Sequence, residues 1–94
     1  MKRILVLGAG RSAASLIQYL LDNAVKENWL VRVGDVNLNL VTDRIGSDER
    51  SEGFVFDVNN VDQRSEEISQ ADIVVSMLPA RFHLLVVQKI SMDI

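Results

Sequence analysis

Ile4-Leu5-Val6-Leu7-Gly8-Ala9-Gly10-Arg11-Ser12-Ala13 is the stretch whose reading decides the fold. Four aliphatic residues in succession, without alternation, read as a central parallel strand covered on both faces by helices. Despite the Lys2-Arg3 flank, the run is too short for the apolar core of a signal peptide or for a membrane span. Beyond the glycines, Ala13, Ile17, Leu20, Leu21 and Ala24 recur at spacings of three and four. That spacing places them on one face of a helix running from about Arg11 to Val25, the face expected to pack on a sheet.

Strand and helix keep alternating downstream. Leu30 to Gly34 reads as a second strand, and Leu38, Val41, Thr42 and Ile45 return to helical spacing until Gly46 ends the pattern. Residues Ser47 to Gly53 are polar, charged and aperiodic, and read as a solvated connection without a function. Phe54-Val55-Phe56-Asp57-Val58 reads as a third strand, followed by a capping box of Asn60 and Gln63 that opens a short helix through Ser69. Ile73 to Leu78 reads as a fourth strand, with Pro79 stopping it because proline cannot donate to a ladder, and a last helix is expected from about Ala80. With right-handed crossovers, the expected architecture is a Rossmann-type, three-layer α/β/α fold with a parallel sheet of strand order 3-2-1-4. A complete doubly wound fold needs two further strands, so the chain is expected to be truncated before them.

Composition narrows the partners. A chain of 94 residues, 48% hydrophobic, is the size of one domain. A formal charge of -3, with no cluster of Lys and Arg, argues against nucleic acid as a partner. Cysteine is absent and histidine occurs once, which excludes a disulfide framework and a thiolate or His-rich metal site. An intracellular, cytoplasmic protein without membrane association is expected.

Gly8-Ala9-Gly10-Arg11-Ser12-Ala13 matches G-x-G-x-x-G/A, and it lies between a buried strand and an amphipathic helix, where that pattern has a mechanism. Gly8 permits the tight turn, Gly10 lets the backbone approach a pyrophosphate, and Ala13 keeps the helix close to the sheet. Free N–H groups at the helix start face the anion. Ser12 can add a hydroxyl hydrogen bond to a phosphate oxygen; Arg11 can lie over the pyrophosphate or be merely solvated, and Ser12 is the better candidate. Asp35 follows the second strand, 22 residues after Ala13, close to the spacing of about 20 expected for the carboxylate that accepts ribose hydroxyls. Because the position carries an acid and no Arg follows it closely in sequence, NAD is expected over NADP. Asp57 and Val58, after the third strand, stand where an adenine ring would meet the sheet: Asp57 as acceptor for the exocyclic amine, Val58 as apolar wall, with a turn role for Asp57 equally open. Met77, Leu78 and Pro79 end the fourth strand beside the switch point, on the path to the nicotinamide ribose. His83, on the first turn of the next helix, is more often exposed than catalytic in such a place.

Four segments carry a family resemblance: Lys2 to Gly10, Val33-Gly34-Asp35, Phe56-Asp57-Val58, and Val75-Ser76-Met77-Leu78-Pro79-Ala80-Arg81-Phe82-His83. Together they resemble the N-terminus of saccharopine dehydrogenase and its reductase relatives, over residues 1 to about 88. The Ser-Met-Leu-Pro-x-x-x-His run is the most specific of them; in that family it follows the fourth strand and borders the cofactor. The resemblance implies a reversible oxidative deamination in lysine metabolism, in which hydride moves between nicotinamide and the carbon of a secondary amine and the imine is hydrolysed. It also implies a second domain that binds the amino-acid substrate. Residues 1–94 are accordingly expected to be a partial dinucleotide-binding domain with the substrate domain absent, and inactive alone. The tail from Gln88 to Ile94 departs from the family, which continues through a longer helix into a fifth strand. Two other readings stand beside this one: a regulatory module sensing NAD or ATP, of the kind that gates potassium transport, and an inert fragment. Because the apolar fourth strand lies at the edge of the sheet, self-association is expected through that edge or the last helix.

Overall fold

The computed structural model describes residues 1–79; the helix expected from Ala80, and His83 with it, lie outside that range. The elements follow in the order β1 (Lys2–Leu7), α1 (Arg11–Glu27), β2 (Trp29–Asp35), α2 (Leu38–Ile45), β3 (Ser51–Val55), α3 (Val61–Gln70) and β4 (Ile73–Ser76). The strands form one parallel sheet in the order β3-β2-β1-β4, as the sequence leads one to expect of a Rossmann-type chain.

β1 is central, and its aliphatic run is buried on both faces because each face has its own helix layer. Ile4 and Val6 join Val31 and Val33 of β2 beneath α1 and α2, where Ala13, Ile17, Leu20, Leu21 and Ala24 of α1 and Val41 of α2 complete the core. Leu5 and Leu7 point the other way and pack with Phe56, Val58 and Ile68 under α3. Helix α1 runs past Val25 to Glu27, where Asn28 adopts a left-handed conformation (φ 58°) and returns its N–H to the carbonyls of Ala24 and Val25.

Two strands differ from their sequence reading. β3 begins at Ser51 rather than Phe54 and ends at Val55, so Ser51, Glu52 and Gly53 belong to the sheet and not to a solvated connection. Pairing creates the strand: Ser51, Glu52 and Gly53 lie beside Val31, Arg32 and Val33. Gly53 leaves room for α2, since a Cβ there would stand 2.5 Å from Val41 Cγ1 and 2.8 Å from Ile45 Cδ1. β4 ends at Ser76, not at Leu78, because its partner β1 ends at Leu7 and the Met77 N–H makes the closing bond to the Leu7 carbonyl at 2.7 Å. Pro79 therefore follows the strand without stopping it. In the turn before α3, half of the expected capping box forms: Asn60 Oδ1 accepts from the Gln63 N–H at 3.0 Å, while the Gln63 side chain instead accepts from the Asp57 N–H and donates to the Val55 carbonyl.

On the α3 face, Arg32 of β2 is tied to Glu67 of α3, lies 3.8 Å from Glu52, and holds its guanidinium 4.6 Å from the centre of the Phe54 ring. Phe54 meets Phe56 edge-on at 6.2 Å. This aromatic pair fits only because residue 34 is glycine: a Cβ there would stand 2.8 Å from both Phe54 Cζ and Phe56 Cβ. Gly34→Ala is accordingly expected to destabilise the fold by about 1–3 kcal/mol through overpacking, measured as a lowered urea midpoint with unchanged slope.

Candidate functional site

The crossovers place α1 and α2 on one face of the sheet and α3 on the other, so the connections diverge between β1 and β4. A crevice at the carboxyl ends of those two strands is the expected ligand position in an open α/β sheet. The structure has a cavity of about 360 Å³ there, within the range of small-molecule sites. Gly8, Gly10, Ser12 and Asp35 line one side of it, and Met77, Leu78 and Pro79 the other.

The glycine turn is what makes this crevice. Gly8 sits at φ +103°, and a Cβ on it would stand 2.9 Å from the Met77 carbonyl carbon and oxygen, so both the conformation and the closeness of β4 require glycine. Its N–H donates to the Gly34 carbonyl at 2.7 Å, which stitches the turn to β2. Gly10 caps α1 with φ −69° and ψ −174°, a conformation open to any residue, and a Cβ on it would meet no atom of the described residues within 4 Å beyond its chain neighbours. Ala13 is fully buried where α1 crosses the sheet.

The three described helices differ at their starts. Asn37 caps α2, its side chain accepting from the N–H groups of Asn39 and Leu40, and Asn60 caps α3. α1 has no side-chain cap and no acidic residue in its first turn, which leaves its leading N–H groups and the positive end of its dipole directed at the cavity mouth. Arg11 and Ser12 are exposed on that first turn.

Asp35, at the end of β2, accepts the Ala9 N–H on Oδ2 at 2.8 Å and the Asn37 N–H on Oδ1 at 2.9 Å. It thus fixes the glycine turn and the entry to α2 together. A carboxylate offers about four acceptor positions, so this one retains capacity for hydroxyl donors from the cavity. The carbonyl of the same Ala9 accepts from Arg44 Nε at 3.1 Å. Arg44 lies in the last turn of α2, and no motif around it in sequence points to the turn. It follows Asp35 by nine positions in the chain, yet folding delivers its guanidinium to the loop that Asp35 holds.

Asp57 and Val58 are not among the residues lining the cavity. Asp57 is exposed, and its Oδ1 accepts the Asn59 N–H at 3.0 Å, the turn role that its type and position allow. Val58 turns its side chain into the core beside Leu5, Leu7 and Ile68, so what it presents outward is backbone rather than an apolar wall. The described residues contain no group of three His, Cys, Asp or Glu side chains placed to hold a metal, and no helix long and apolar enough to cross a membrane.

No protein-family model and no curated protein sequence matches the chain. Solved structures do. The chain is similar to the apo form of saccharopine dehydrogenase (L-Glu forming) from Saccharomyces cerevisiae, with a TM-score of 0.82 and 26% identity over 95% of this chain. It spans 19% of that enzyme's length. It is similar in fold to a Rossmann-fold NAD(P)-binding family protein of Shigella flexneri, with a TM-score of 0.79 and 21% identity over 98% of this chain and 47% of the other. A short-chain dehydrogenase/reductase of Veillonella parvula in complex with NADP shares the fold at a TM-score of 0.67 and 19% identity, over 98% of this chain and 43% of its own. The likeness to saccharopine dehydrogenase thus appears in the fold as well as in the four sequence segments.

The two turn glycines should separate in a stability measurement. Gly8→Ala is expected to lose about 1–3 kcal/mol from backbone strain alone, whereas Gly10→Ala loses only about 0.5–1 kcal/mol in chemical denaturation, the difference between glycine and alanine at a helix start.

Proposed function

We propose that the cavity at the carboxyl ends of β1 and β4 binds the adenosine diphosphate half of NAD, and that the chain is the nucleotide-binding part of a saccharopine dehydrogenase-like oxidoreductase. One observation carries this reading: α1 alone among the three described helices begins without a side-chain cap, behind a Gly10 that lines the cavity and would bring a Cβ near no other described residue, so backbone donors and room for an anion coincide. The diphosphate would rest on the N–H groups of Gly10, Arg11 and Ser12, with the Ser12 hydroxyl as a further donor. Asp35 would accept the adenosine ribose hydroxyls. Met77, Leu78 and Pro79 would border the chain of the cofactor toward its nicotinamide end.

The preference for NAD rests on Asp35, whose negative charge disfavours a 2′-phosphate; Arg44 brings a cation to the same loop. When bound, the cofactor would supply hydride chemistry. The substrate reading, a secondary-amine amino acid of lysine metabolism oxidised at its CH–NH bond in the cytoplasm, is supported by the likeness to saccharopine dehydrogenase and by the Ser76 to Pro79 run. The solved structures similar to this chain include dehydrogenases, which favours the oxidoreductase over a potassium-gating module.

Calorimetric titration with NAD, NADP and ADP-ribose tests the proposal. NAD and ADP-ribose are expected to bind alike, and NADP more weakly by about tenfold, equivalent to about 1.4 kcal/mol. Absence of binding by all three removes the dinucleotide reading; tighter binding of NADP reverses the role given to Asp35. Self-association through β4, which pairs only with β1 among the described residues and leaves Ile73 exposed, is proposed on the same basis, and a strictly monomeric mass in sedimentation at high concentration would exclude it.

A further inference from the structure

We infer that Arg44 is a positioning residue for the diphosphate site, acting through the Ala9–Gly10 peptide. This rests on the dinucleotide reading above and adds a residue that neither the glycine pattern nor the cavity lining includes. In a planar trans peptide the C=O and N–H point in opposite directions, and the described residues contain no cis bond. Arg44 Nε donates to the Ala9 carbonyl at 3.1 Å, so the Gly10 N–H, on the other side of the same peptide plane, is turned away from Arg44. Gly10 N–H has no hydrogen-bond partner among the described residues, and Gly10 lines the cavity.

A peptide preceding glycine is easily reversed, since glycine accepts φ of either sign at little cost. Reversal would place a carbonyl oxygen where the site presents a donor to the anion. One contact opposes it directly: Arg44 holds the Ala9 carbonyl of that peptide, while Asp35 holds the Ala9 N–H of the preceding peptide and so fixes only the plane next to it. The guanidinium also polarises the peptide it grips, so that the far N–H becomes a stronger donor. Arg44 forms no ion pair among the described residues, and its charge adds to the positive end of α1. The two roles, orientation and charge, are separable by chemistry, because lysine keeps the charge but carries a methylene where arginine has Nε.

The test is calorimetric titration of the chain and its Arg44→Lys and Arg44→Gln variants with ADP-ribose, alongside ligand-free melting and the amide spectrum of 15N-labelled protein. Both variants are expected to melt cooperatively and to bind ADP-ribose more weakly by on the order of tenfold, the loss typical of a hydrogen bond to a charged group. An Arg44→Lys variant that binds within about twofold of the parent overturns the orienting role, since a tenfold change is the scale of one such bond. Should either variant fail to fold, the parent protein decides: its Gly10 amide is expected among the resonances displaced downfield at saturation, and a Gly10 amide that stays in place overturns the inference. A parent chain that binds no ADP-ribose overturns the dinucleotide reading itself and this inference with it, whereas parent binding that survives both substitutions leaves that reading standing and removes only the role of Arg44.

Discussion

A chain that leaves a buried central strand and starts a helix packed on that same sheet has almost no room to turn, and the whole of this molecule is organised around that constraint at Gly8. The Met77 backbone lies where a side chain would go, and the Gly34 carbonyl takes the N–H. Holding the turn this tightly brings three strand ends together, β1 through Gly8, β2 through Gly34 and Asp35, and β4 through Met77. Proximity of those ends creates the cavity. The same residues that allow the fold to close therefore line the cavity, and at Gly8 and Asp35 the constraint that shapes the fold also shapes the candidate site.

Gly10 stands apart from this economy. Nothing in the packing of the described residues requires glycine there, and the helix it starts could have been capped by Asn, as the other two described helices are. A Ser, Asp or Asn at that position is worth roughly 0.5–2 kcal/mol over Ala at a helix start, whereas glycine gives up only a few tenths of that to the best cap. Among the described residues the start of α1 has no side-chain cap and Gly10 borders the cavity, so its leading backbone N–H groups are left to the cavity mouth.

How far the sequence discloses this depends on how local the cause is. β1, α1 and α2 are legible because unbroken aliphatic runs and spacings of three and four follow from burial on two faces or on one. Gly8, Gly10 and Asp35 are legible because a turn, a helix start and a strand end fall at fixed separations. β3 is less so: Ser51, Glu52 and Gly53 look like a solvated loop until β2 is placed beside them, with Arg32 opposite Glu52 and α2 lying on Gly53. Val58 shows the reverse problem, an apolar residue near an expected ligand that the core claims first. Arg44 is the least legible, since a single basic residue in the last turn of a helix already has an ordinary explanation in the helix dipole, and its bond to Ala9 joins positions 35 apart.

The manner in which α3 is attached has a bearing on motion. That helix buries a single residue, Ile68, and is otherwise held by polar contacts: the Arg32–Glu67 pair, Arg64, which donates to the Val58 carbonyl at 2.6 Å, and Gln63, which bonds the Val55 carbonyl and the Asp57 N–H. α1, by contrast, buries five residues in the opposite layer. Amide hydrogens of α3 should then exchange with solvent through partial openings that leave the α1 layer intact, while those of β1 and α1 exchange only when the entire domain unfolds. The molecule would thus have a rigid half, carrying the glycine turn, and a more readily detached half, carrying the loop of Asp57.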